Sequence, residues 1–262
     1  MSIVASAKYL STAGIKSLLG VVLKTGCSVC DRPTNTVFCA DCQRQIEADC
    51  YSKTHWPPDW PLDTSGEIPV GALGPYRGTL KQAIRALKYE HRSEVASVLG
   101  AALGQRWRSR QQHQPHQLRR QHPDKRVASA GFNVAERAVS VVPIPLHANR
   151  LSQRGYNQAA LIARSFCRSS GLPLIEHGLV RVQDTQPQHQ LGLGERQENL
   201  KSAFRVGTAL QKRQQRSGRR LNVLLIDDIY TTGATTQSAA EVLMAAGISV
   251  VGMLSVARAV KD

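Results

Sequence analysis

Continuous apolar runs alternate with helix-like segments over the second half of the chain. The runs AVSVVPIPL, LNVLLID and ISVVGMLSVAR predict buried strands, because apolar residues follow one another without interruption. Apolar residues at helical spacing predict helices in YRGTLKQAIRALKY, at about residues 92–107, in NQAALIARSFCRSSG and in TQSAAEVLMAAG. The polar stretch 179–206 is interpreted as a long hairpin or a mobile loop. Strand, helix and strand in succession predict an α/β fold with a mostly parallel sheet.

Composition divides the chain into four parts. Residues 1–25 predict a helix, residues 26–50 hold a cysteine cluster, residues 51–69 are a Pro-rich linker, and residues 70–262 form the α/β domain. Within this domain, residues 105–137 are rich in Gln, Arg and His and almost free of aliphatic side chains. Such a segment buries too little apolar surface to offset its ordering entropy, which predicts a disordered basic insertion.

The predicted N-terminal helix has an apolar face that favours packing onto the domain. Lys8, Lys16 and Lys24 interrupt the apolar sequence, so it matches neither a secretory signal nor a membrane span. Peripheral association with a membrane surface is the alternative. The apolar positions are Ile15, Leu18, Leu19 and Val22.

Four of the six cysteines follow the pattern C-x2-C-x8-C-x2-C. Each pair can place two thiolates on one turn, and two such turns complete a tetrahedral zinc site. No open position is suggested, so we predict a structural Zn²⁺, with a redox dithiol as the alternative. Nothing indicates secretion, which favours a cytoplasmic protein, and Cys50 and Cys167 are expected to be ordinary thiols. The predicted zinc ligands are Cys27, Cys30, Cys39 and Cys42.

Two adjacent acids, Asp227 and Asp228, end the predicted central strand, and a Thr/Gly turn then leads into a helix. Ligands of open α/β sheets bind at this end of the strands. The turn and the helix N-terminus offer N–H and hydroxyl donors to a phosphate, whereas the carboxylates suit sugar hydroxyls or Mg²⁺. This pattern predicts a site for a ribose 5-phosphate. A magnesium-binding acidic pair of the receiver type and a simple helix cap are the alternatives.

Several motifs together carry a resemblance to a known family. VLLIDDIYTTGAT resembles the phosphoribosyl-pyrophosphate (PRPP) signature of type I phosphoribosyltransferases, with Tyr230 standing where a small aliphatic residue is usual. YRGTLKQAIRALKY, VVPIPLHANRLSQRGYNQAALIAR and RVQDTQPQHQLGLGERQENLKSAF are similar to segments of the ComF family, named for a competence protein. The resemblance covers most of residues 20–258. It implies a phosphoribosyltransferase-like domain behind a four-cysteine module that holds one Zn²⁺.

The resemblance also implies a PRPP site with Mg²⁺. Asp227 and Asp228 would bind the ribose 2- and 3-hydroxyls, and with Arg154 they are the candidate catalytic residues. The polar stretch would carry either a mobile hood over the ligand or hydrogen bonds that tie a hairpin together. Its candidate residues are Arg181, Asp184, Gln188, Arg196 and Asn199.

Two loops would hold the phosphate groups of PRPP. The residues expected at the 5-phosphate are Thr231, Thr232, Gly233, Ala234 and Thr235. Arg forks match phosphate oxygens, which makes two arginines plausible on the pyrophosphate side. The residues expected there are Leu146, His147, Arg150 and Arg154.

A net charge of +15 indicates polyanionic partners. Residues 105–126 carry seven Lys or Arg and one Asp, and QKRQQRSGRR carries five basic residues and no acid. The resemblance implies DNA uptake in natural transformation, with single-stranded DNA and a competence helicase or recombination proteins as partners, at the inner face of the membrane. The alternative is an active transferase that passes the phosphoribosyl group to an unidentified base or amine and releases pyrophosphate.

Overall fold

The computed structural model describes residues 25–51, 68–121, 139–182, 203–218 and 220–260. The predicted N-terminal helix and nearly all of the predicted linker lie outside these residues. The elements are β1 (Thr25–Gly26), β2 (Pro33–Thr34), α1 (Ala40–Asp49), β3 (Val70–Pro75), α2 (Gly78–Tyr89), α3 (Val95–Gln121), β4 (Val139–Pro143), α4 (Ala148–Arg154), α5 (Gln158–Ser170), β5 (Leu179–Arg181), β6 (Phe204–Val206), α6 (Thr208–Ser217), β7 (Asn222–Tyr230), α7 (Ala234–Ala245) and β8 (Ser249–Arg258).

A four-stranded sheet in the order β3-β8-β7-β4 organises the chain, and every neighbouring pair in it is parallel. The predicted α/β class with a mostly parallel sheet is therefore confirmed. Parallel strands need crossover connections, and the helices between them cover both faces. All four strands consequently end at one edge, called here the carboxyl edge, and begin at the opposite edge, the amino edge.

The apolar run of β7 is buried on both faces, as its sequence predicts. Leu224 and Ile226 belong to a core shared with α2, α3 and α5, whereas Val223 and Leu225 belong to a core shared with α6, α7 and the β5–β6 ribbon. Side chains of a strand alternate between its two faces, so consecutive residues enter different cores. The same alternation sends the two acids that follow in opposite directions.

The cysteine module packs against the sheet domain. Phe38 and Ile46 lie in the same buried cluster as Leu73 of β3 and Leu99 of α3. Asp49, the last residue of α1, accepts a hydrogen bond from the backbone N–H of Leu80 at 3.0 Å, in the first turn of α2. This carboxylate satisfies a helix N-terminal donor that would otherwise be unpaired. The module and the sheet domain thus share one hydrophobic core.

Helix α3 is longer than its sequence predicts. The predicted end near residue 107 is wrong, because the helix continues to Gln121. The predicted disorder of residues 105–137 accordingly fails for 105–121, and residues 122–137 lie outside the described part. Near the start of this stretch, Trp107 is buried against the ring of Phe166, and Arg106 donates to the carbonyls of Leu73 and Tyr51. These contacts anchor the start of the segment, and its average composition gives no sign of them.

The ends of the polar stretch 179–206 pair with each other. Leu179 lies opposite Val206 and Arg181 opposite Phe204 in a short antiparallel ribbon formed by β5 and β6. The hairpin interpretation fits this pairing. Residues 183–202, which contain the predicted hood residues Asp184, Gln188, Arg196 and Asn199, lie outside the described part.

Candidate functional site

The two segments predicted to hold a sugar phosphate meet at the carboxyl edge. Strands β4 and β7 are neighbours, with Val142 opposite Leu225 and Pro143 opposite Ile226. Beyond the end of β4, the N–H of Ile144 donates to the carbonyl of Ile226 at 2.8 Å. This bond fixes the start of the loop that carries Leu146 and His147 beside the strand that carries the acidic pair.

Asp228 faces the α2 side of the sheet and is not open to solvent there. The residue as a whole is 8% exposed, and its Oδ2 lies 3.0 Å from Nζ of Lys88, in the last turn of α2. The Lys88 side chain is itself only 15% exposed. A buried carboxylate needs such a partner, because an unpaired charge in this position is costly. Lys88 was not predicted as a site residue, although the helical spacing of Ile84 and Leu87 places it at the border of the apolar face.

Asp227 faces the other side of the sheet, and its Oδ1 accepts the backbone N–H of Asp228 at 2.8 Å. Burial and, to a lesser extent, the neighbouring Asp228 charge raise the pKa of Asp227 to about 7. Lys88, this backbone N–H and Arg181 act in the opposite direction without cancelling the effect. Asp227 can therefore take up or release a proton near neutrality.

The Thr/Gly turn leaves the N-terminus of α7 open. Gly233 is the N-cap residue with φ of 83°, and no side chain caps the helix. Thr231 and Thr232 are exposed, and the N–H of Ala234 reaches Oγ1 of Thr232 only at 3.5 Å. The N–H groups of the first turn, of which that of Ala234 has only this long bond, and the partial positive charge of a 12-residue helix consequently face the carboxyl edge.

Gly233 cannot be replaced without a clash as well as strain. A Cβ atom at this position would overlap the hydroxyl oxygen of Tyr230, which would have to move, and the left-handed backbone disfavours any other residue. Tyr230 also lies under the guanidinium of Arg258, 5.5 Å from its ring centre. The tyrosine that departs from the family signature therefore packs over the turn and against a cation at the end of β8.

The loop after β4 is built around two helix caps. Nδ1 of His147 accepts the N–H of Asn149 at the start of α4, so the predicted ligand residue also serves as a cap. The Asn157 side chain caps α5 and donates to the carbonyl of Ile144 at 3.0 Å. These bonds hold the loop between the two helices at the edge of the sheet.

Arg154 is held in place by two groups. It donates to Oε1 of Gln158 at 3.1 Å and stacks 5.3 Å from the ring centre of Tyr89. Gln158 is 1% exposed, and its Nε2 has no hydrogen-bond partner among the described residues. A buried amide donor without a partner is rare in folded proteins, so it is a candidate contact for a bound ligand. Gln158 was not predicted, because a glutamine in a first helical turn has no distinctive signal.

Arg181, at the end of β5, is the described member of the predicted hood. Its charge lowers the pKa of Asp227, and its guanidinium lies 5.4 Å from the ring centre of Phe204. Several cations are carried by the elements around the acids and the open helix. They are Lys88, Arg150, Arg154, Arg181 and Arg258.

The four predicted zinc ligands are brought together. The Sγ atoms of Cys27, Cys30, Cys39 and Cys42 all lie within 4.8 Å of one another, so the cluster can hold a metal such as zinc. The first pair lies on a turn closed by the bond from the N–H of Asp31 to the carbonyl of Cys27, at 2.9 Å. The second pair begins α1, and the N–H of Cys39 donates to Sγ of Cys27 at 3.3 Å.

Burial raises the pKa of Cys42, but the pKa values of Cys27 and Cys30 are lowered, so thiolate character is favoured at those two cysteines. The Arg32 guanidinium donates to Sγ of Cys30 at 3.3 Å, and this bond lowers the pKa of Cys30 to about 6. Arg32 is oriented in turn by Asp41, 2.7 Å away. All six cysteines of the chain are free thiols, and burial raises the pKa of the Cys50 and Cys167 thiols. The donor set therefore fits a metal ion, whereas the other two cysteines resemble ordinary, partly buried thiols.

Among the helices of the described residues, none combines the length and the apolar character that a bilayer span requires. The longest, α3, carries a series of Arg and Gln residues in its second half.

No family model matches the chain, but known proteins of similar sequence have names that agree with one another. The chain is 28% identical over 230 residues to the DNA utilization protein YhgH of Escherichia coli K12, covering 86% of each chain. It is 32% identical over 120 residues to Competence protein F of Haemophilus influenzae, covering 46% of this chain and 50% of that protein. It is 35% identical over 108 residues to Competence protein ComFC of Bacillus subtilis, covering 41% and 39%. These relatives support the resemblance to the ComF family that the sequence motifs carry.

Proposed function

We propose that the carboxyl edge binds PRPP, or another ribose 5-phosphate, together with Mg²⁺. The observation that carries this proposal is the meeting of three features at one edge: an acidic pair, an uncapped helix N-terminus and a loop followed by arginines. Each feature suits a different group of PRPP. The loop, the acidic pair and the helix N-terminus follow one another along the chain, as pyrophosphate, ribose and 5-phosphate follow one another in PRPP.

The 5-phosphate would lie at the turn formed by residues 231–235. The first N–H groups of α7 are not capped by a side chain, and Thr231 and Thr232 offer exposed hydroxyls. Gly233 lets the backbone approach the phosphate closely. Such an arrangement stabilises an anion through both hydrogen bonds and the helix dipole.

The ribose hydroxyls would lie at the acidic pair. The ion pair with Lys88 engages Oδ2 of Asp228, and its Oδ1 would accept a hydrogen bond from a ligand hydroxyl. Because the pKa of Asp227 is raised to about 7, a Mg²⁺ ion near this carboxylate would compete with a proton. Lys88 keeps the pair from being a fully uncompensated double negative charge, and it thereby limits the repulsion of an incoming phosphate.

The pyrophosphate would lie at the loop after β4. Arg154 is already oriented by Gln158 and Tyr89, so it loses little freedom when it binds an anion. The buried Nε2 of Gln158 supplies a further donor. Leu146, His147 and Arg150 complete this side. When bound, Mg²⁺ would stabilise the negative charge of the pyrophosphate.

Calorimetric titration of PRPP tests this proposal. Wild-type protein is expected to bind PRPP with Mg²⁺ and to bind it at least tenfold more weakly with EDTA. The variant Asp227→Asn removes the charge without changing shape and should weaken Mg²⁺-dependent binding. The variant Glu241→Gln, on the exposed side of α7, is the matched control and should bind as wild type does. Absence of binding by the wild type would refute the proposal.

The four-cysteine cluster would hold a structural Zn²⁺. Its ligands are Cys27, Cys30, Cys39 and Cys42, all within one module that shares a core with β3 and α3. Four thiolates leave no open coordination position, so the metal would stabilise the module rather than take part in a reaction.

A role in DNA uptake or competence is supported by the names of the relatives. One relative is a DNA utilization protein and two are competence proteins, and we propose that this chain likewise handles incoming DNA. PRPP turnover is a separate question. A screen of nucleobases and amines for PRPP-dependent release of pyrophosphate distinguishes a transferase from a protein that only binds PRPP.

A further inference from the structure

A strongly basic helix, α6, lies at the amino edge of the sheet, opposite the candidate sugar-phosphate site. Nε2 of Gln214 donates to the carbonyl of Ala246 at 2.8 Å, just past the C-terminal end of α7. Arg220 stands two positions before the start of β7. The last turn of α6 is therefore fixed where β7 and β8 begin.

The second half of α3 reaches the same edge. Helices α3 and α5 pack closely and run in the same direction, since Gly100 contacts Ile162 and Gly104 contacts Phe166. Arg108 then donates to the carbonyl of Ser169 at 3.1 Å, near the end of α5 at the amino edge. From Arg108 the helix continues to Gln121, a further distance of about 20 Å at about 1.5 Å per residue.

Neither segment carries a negative charge. Residues 95–121 contain no Asp or Glu, and neither do residues 203–226. On α6 and just after it, Lys212, Arg213, Arg216 and Arg220 are exposed. Positive charge without interspersed acids gives a field that attracts polyanions rather than a network of internal ion pairs.

We infer that the amino edge is a DNA-backbone interface, separate from the sugar-phosphate site. This inference rests on the proposed role in DNA handling and adds the surface that carries it out. The length of β7, from Asn222 to Tyr230, separates the two edges by roughly 26 Å. A strand of DNA on α6 would consequently not compete with PRPP for the acidic pair or for the Thr/Gly turn.

DNA fits this surface better than a lipid headgroup layer. A helix that lies on a membrane inserts large apolar side chains, but the one large apolar residue of α6, Leu210, is buried in the core. The exposed large apolar residues of the described chain include none on α6. We therefore expect contacts to backbone phosphates, strong dependence on salt and little dependence on base sequence.

Two double variants with the same spacing and the same loss of charge provide the test. Lys212→Gln/Arg216→Gln removes two exposed cations at positions i and i+4 of α6, and Lys81→Gln/Arg85→Gln does so on α2. Fluorescence anisotropy with a labelled single strand of about 20 nucleotides, and with its duplex, is measured over a salt series. The α6 variant should bind the single strand at least fivefold more weakly and lower the salt slope by up to about 1.4, at about 0.7 per lost phosphate contact. The α2 variant should stay within twofold of wild type.

The possible outcomes distinguish failure of the proposed DNA handling from failure of its placement on α6. If wild-type protein does not bind DNA, the proposed role in DNA handling fails and the interface with it. If wild type binds but the α6 variant binds equally well, or both variants lose affinity equally, only the placement on α6 is overturned. If the wild-type protein binds vesicles of phosphatidylcholine with about 30% phosphatidylglycerol but does not bind DNA, the surface on α6 binds membranes instead. Unchanged PRPP titration in a folded α6 variant, checked by circular dichroism, supports two separate sites.

Discussion

Nζ of Lys88 lies 3.0 Å from Oδ2 of Asp228, and both side chains are largely shielded from solvent, with exposures of 15% and 11%. This pair joins the end of α2 to the end of β7, so the carboxyl edge is held together by a contact between residues far apart in the sequence. A charge left alone in such a position is expensive, whereas the intact pair contributes modestly.

Breaking the pair from either side should destabilise the protein. We expect Lys88→Met and Asp228→Asn each to lower the free energy of unfolding by about 2–3 kcal/mol, and the double variant to lose less than the sum. Urea denaturation of the four proteins measures the coupling. The exposed pair Arg164–Glu176 is the control and should couple by under about 1 kcal/mol. Equal coupling in the two cycles would show that the Lys88–Asp228 pair has no special role.

The raised pKa of Asp227 should make stability depend on pH. The folded state holds this proton up to about pH 7, whereas an unfolded carboxyl releases it near its ordinary value of 3.8. The contribution of Asp227 to the free energy of unfolding is therefore fully present below about pH 4 and is lost as pH rises toward 7. Asp227→Asn should remove this loss, of roughly 2–4 kcal/mol, in urea denaturation series between about pH 4.5 and 7.5. The same pH dependence in wild type and variant would mean that Asp227 ionises as an ordinary carboxyl.

Gly233 should be required for both the turn and the ligand. Gly233→Ala combines a positive φ of 83° with an overlap between the new Cβ atom and the Tyr230 hydroxyl. We expect a loss of about 2–3 kcal/mol in stability and weaker PRPP binding. Gly171→Ala is a matched control, because Gly171 has φ of 80° and open space around it, so it should cost only about 1 kcal/mol. Adding Tyr230→Phe to Gly233→Ala should recover part of the difference.

Loss of the proposed zinc should loosen the core that the cysteine module shares with α2, α3 and α5, not only the module itself. Cys27 and Cys42 are buried in the cluster that also contains residues of α2, α3 and the sheet. Cys39→Ser should abolish stoichiometric zinc in elemental analysis and lower Tm by at least about 5 °C, or about 2 kcal/mol. Cys167→Ser is the control and should retain one zinc per chain. Full zinc content in Cys39→Ser would place the metal elsewhere.

Much of the fold follows from the pattern of apolar residues, and the exceptions have physical causes. The runs that became β4, β7 and β8 are rich in Val, Ile and Leu, and the periodic segments became α2, α5 and α7. Strand β3 was missed because its sequence, VGALGP, contains residues that are unfavourable in strands. Gly74 is nonetheless required, since a Cβ atom there would lie 2.6 Å from the carbonyl of Asp49. Such a contact between distant segments leaves no periodic signal.

The residues of the candidate site likewise fall into two groups, those that the sequence predicts and those that only the structure shows. The acidic pair, the Thr/Gly turn and the four cysteines were found because each is a local motif. Lys88, Gln158 and Arg258 were not, because their part in the site depends on which helix and strand ends meet at the carboxyl edge. Average composition also misjudged residues 105–121, where Arg106 and Trp107 make contacts that a count of residue types does not show.

A crystal structure of the chain with PRPP and Mg²⁺ tests the central claim most directly. The account predicts the ribose hydroxyls at Asp227 and Asp228, the 5-phosphate at the N-terminus of α7 and the pyrophosphate beside Arg154. A sugar diphosphate bound away from these residues, with the Lys88–Asp228 pair and the Thr/Gly turn untouched by the ligand, would contradict it.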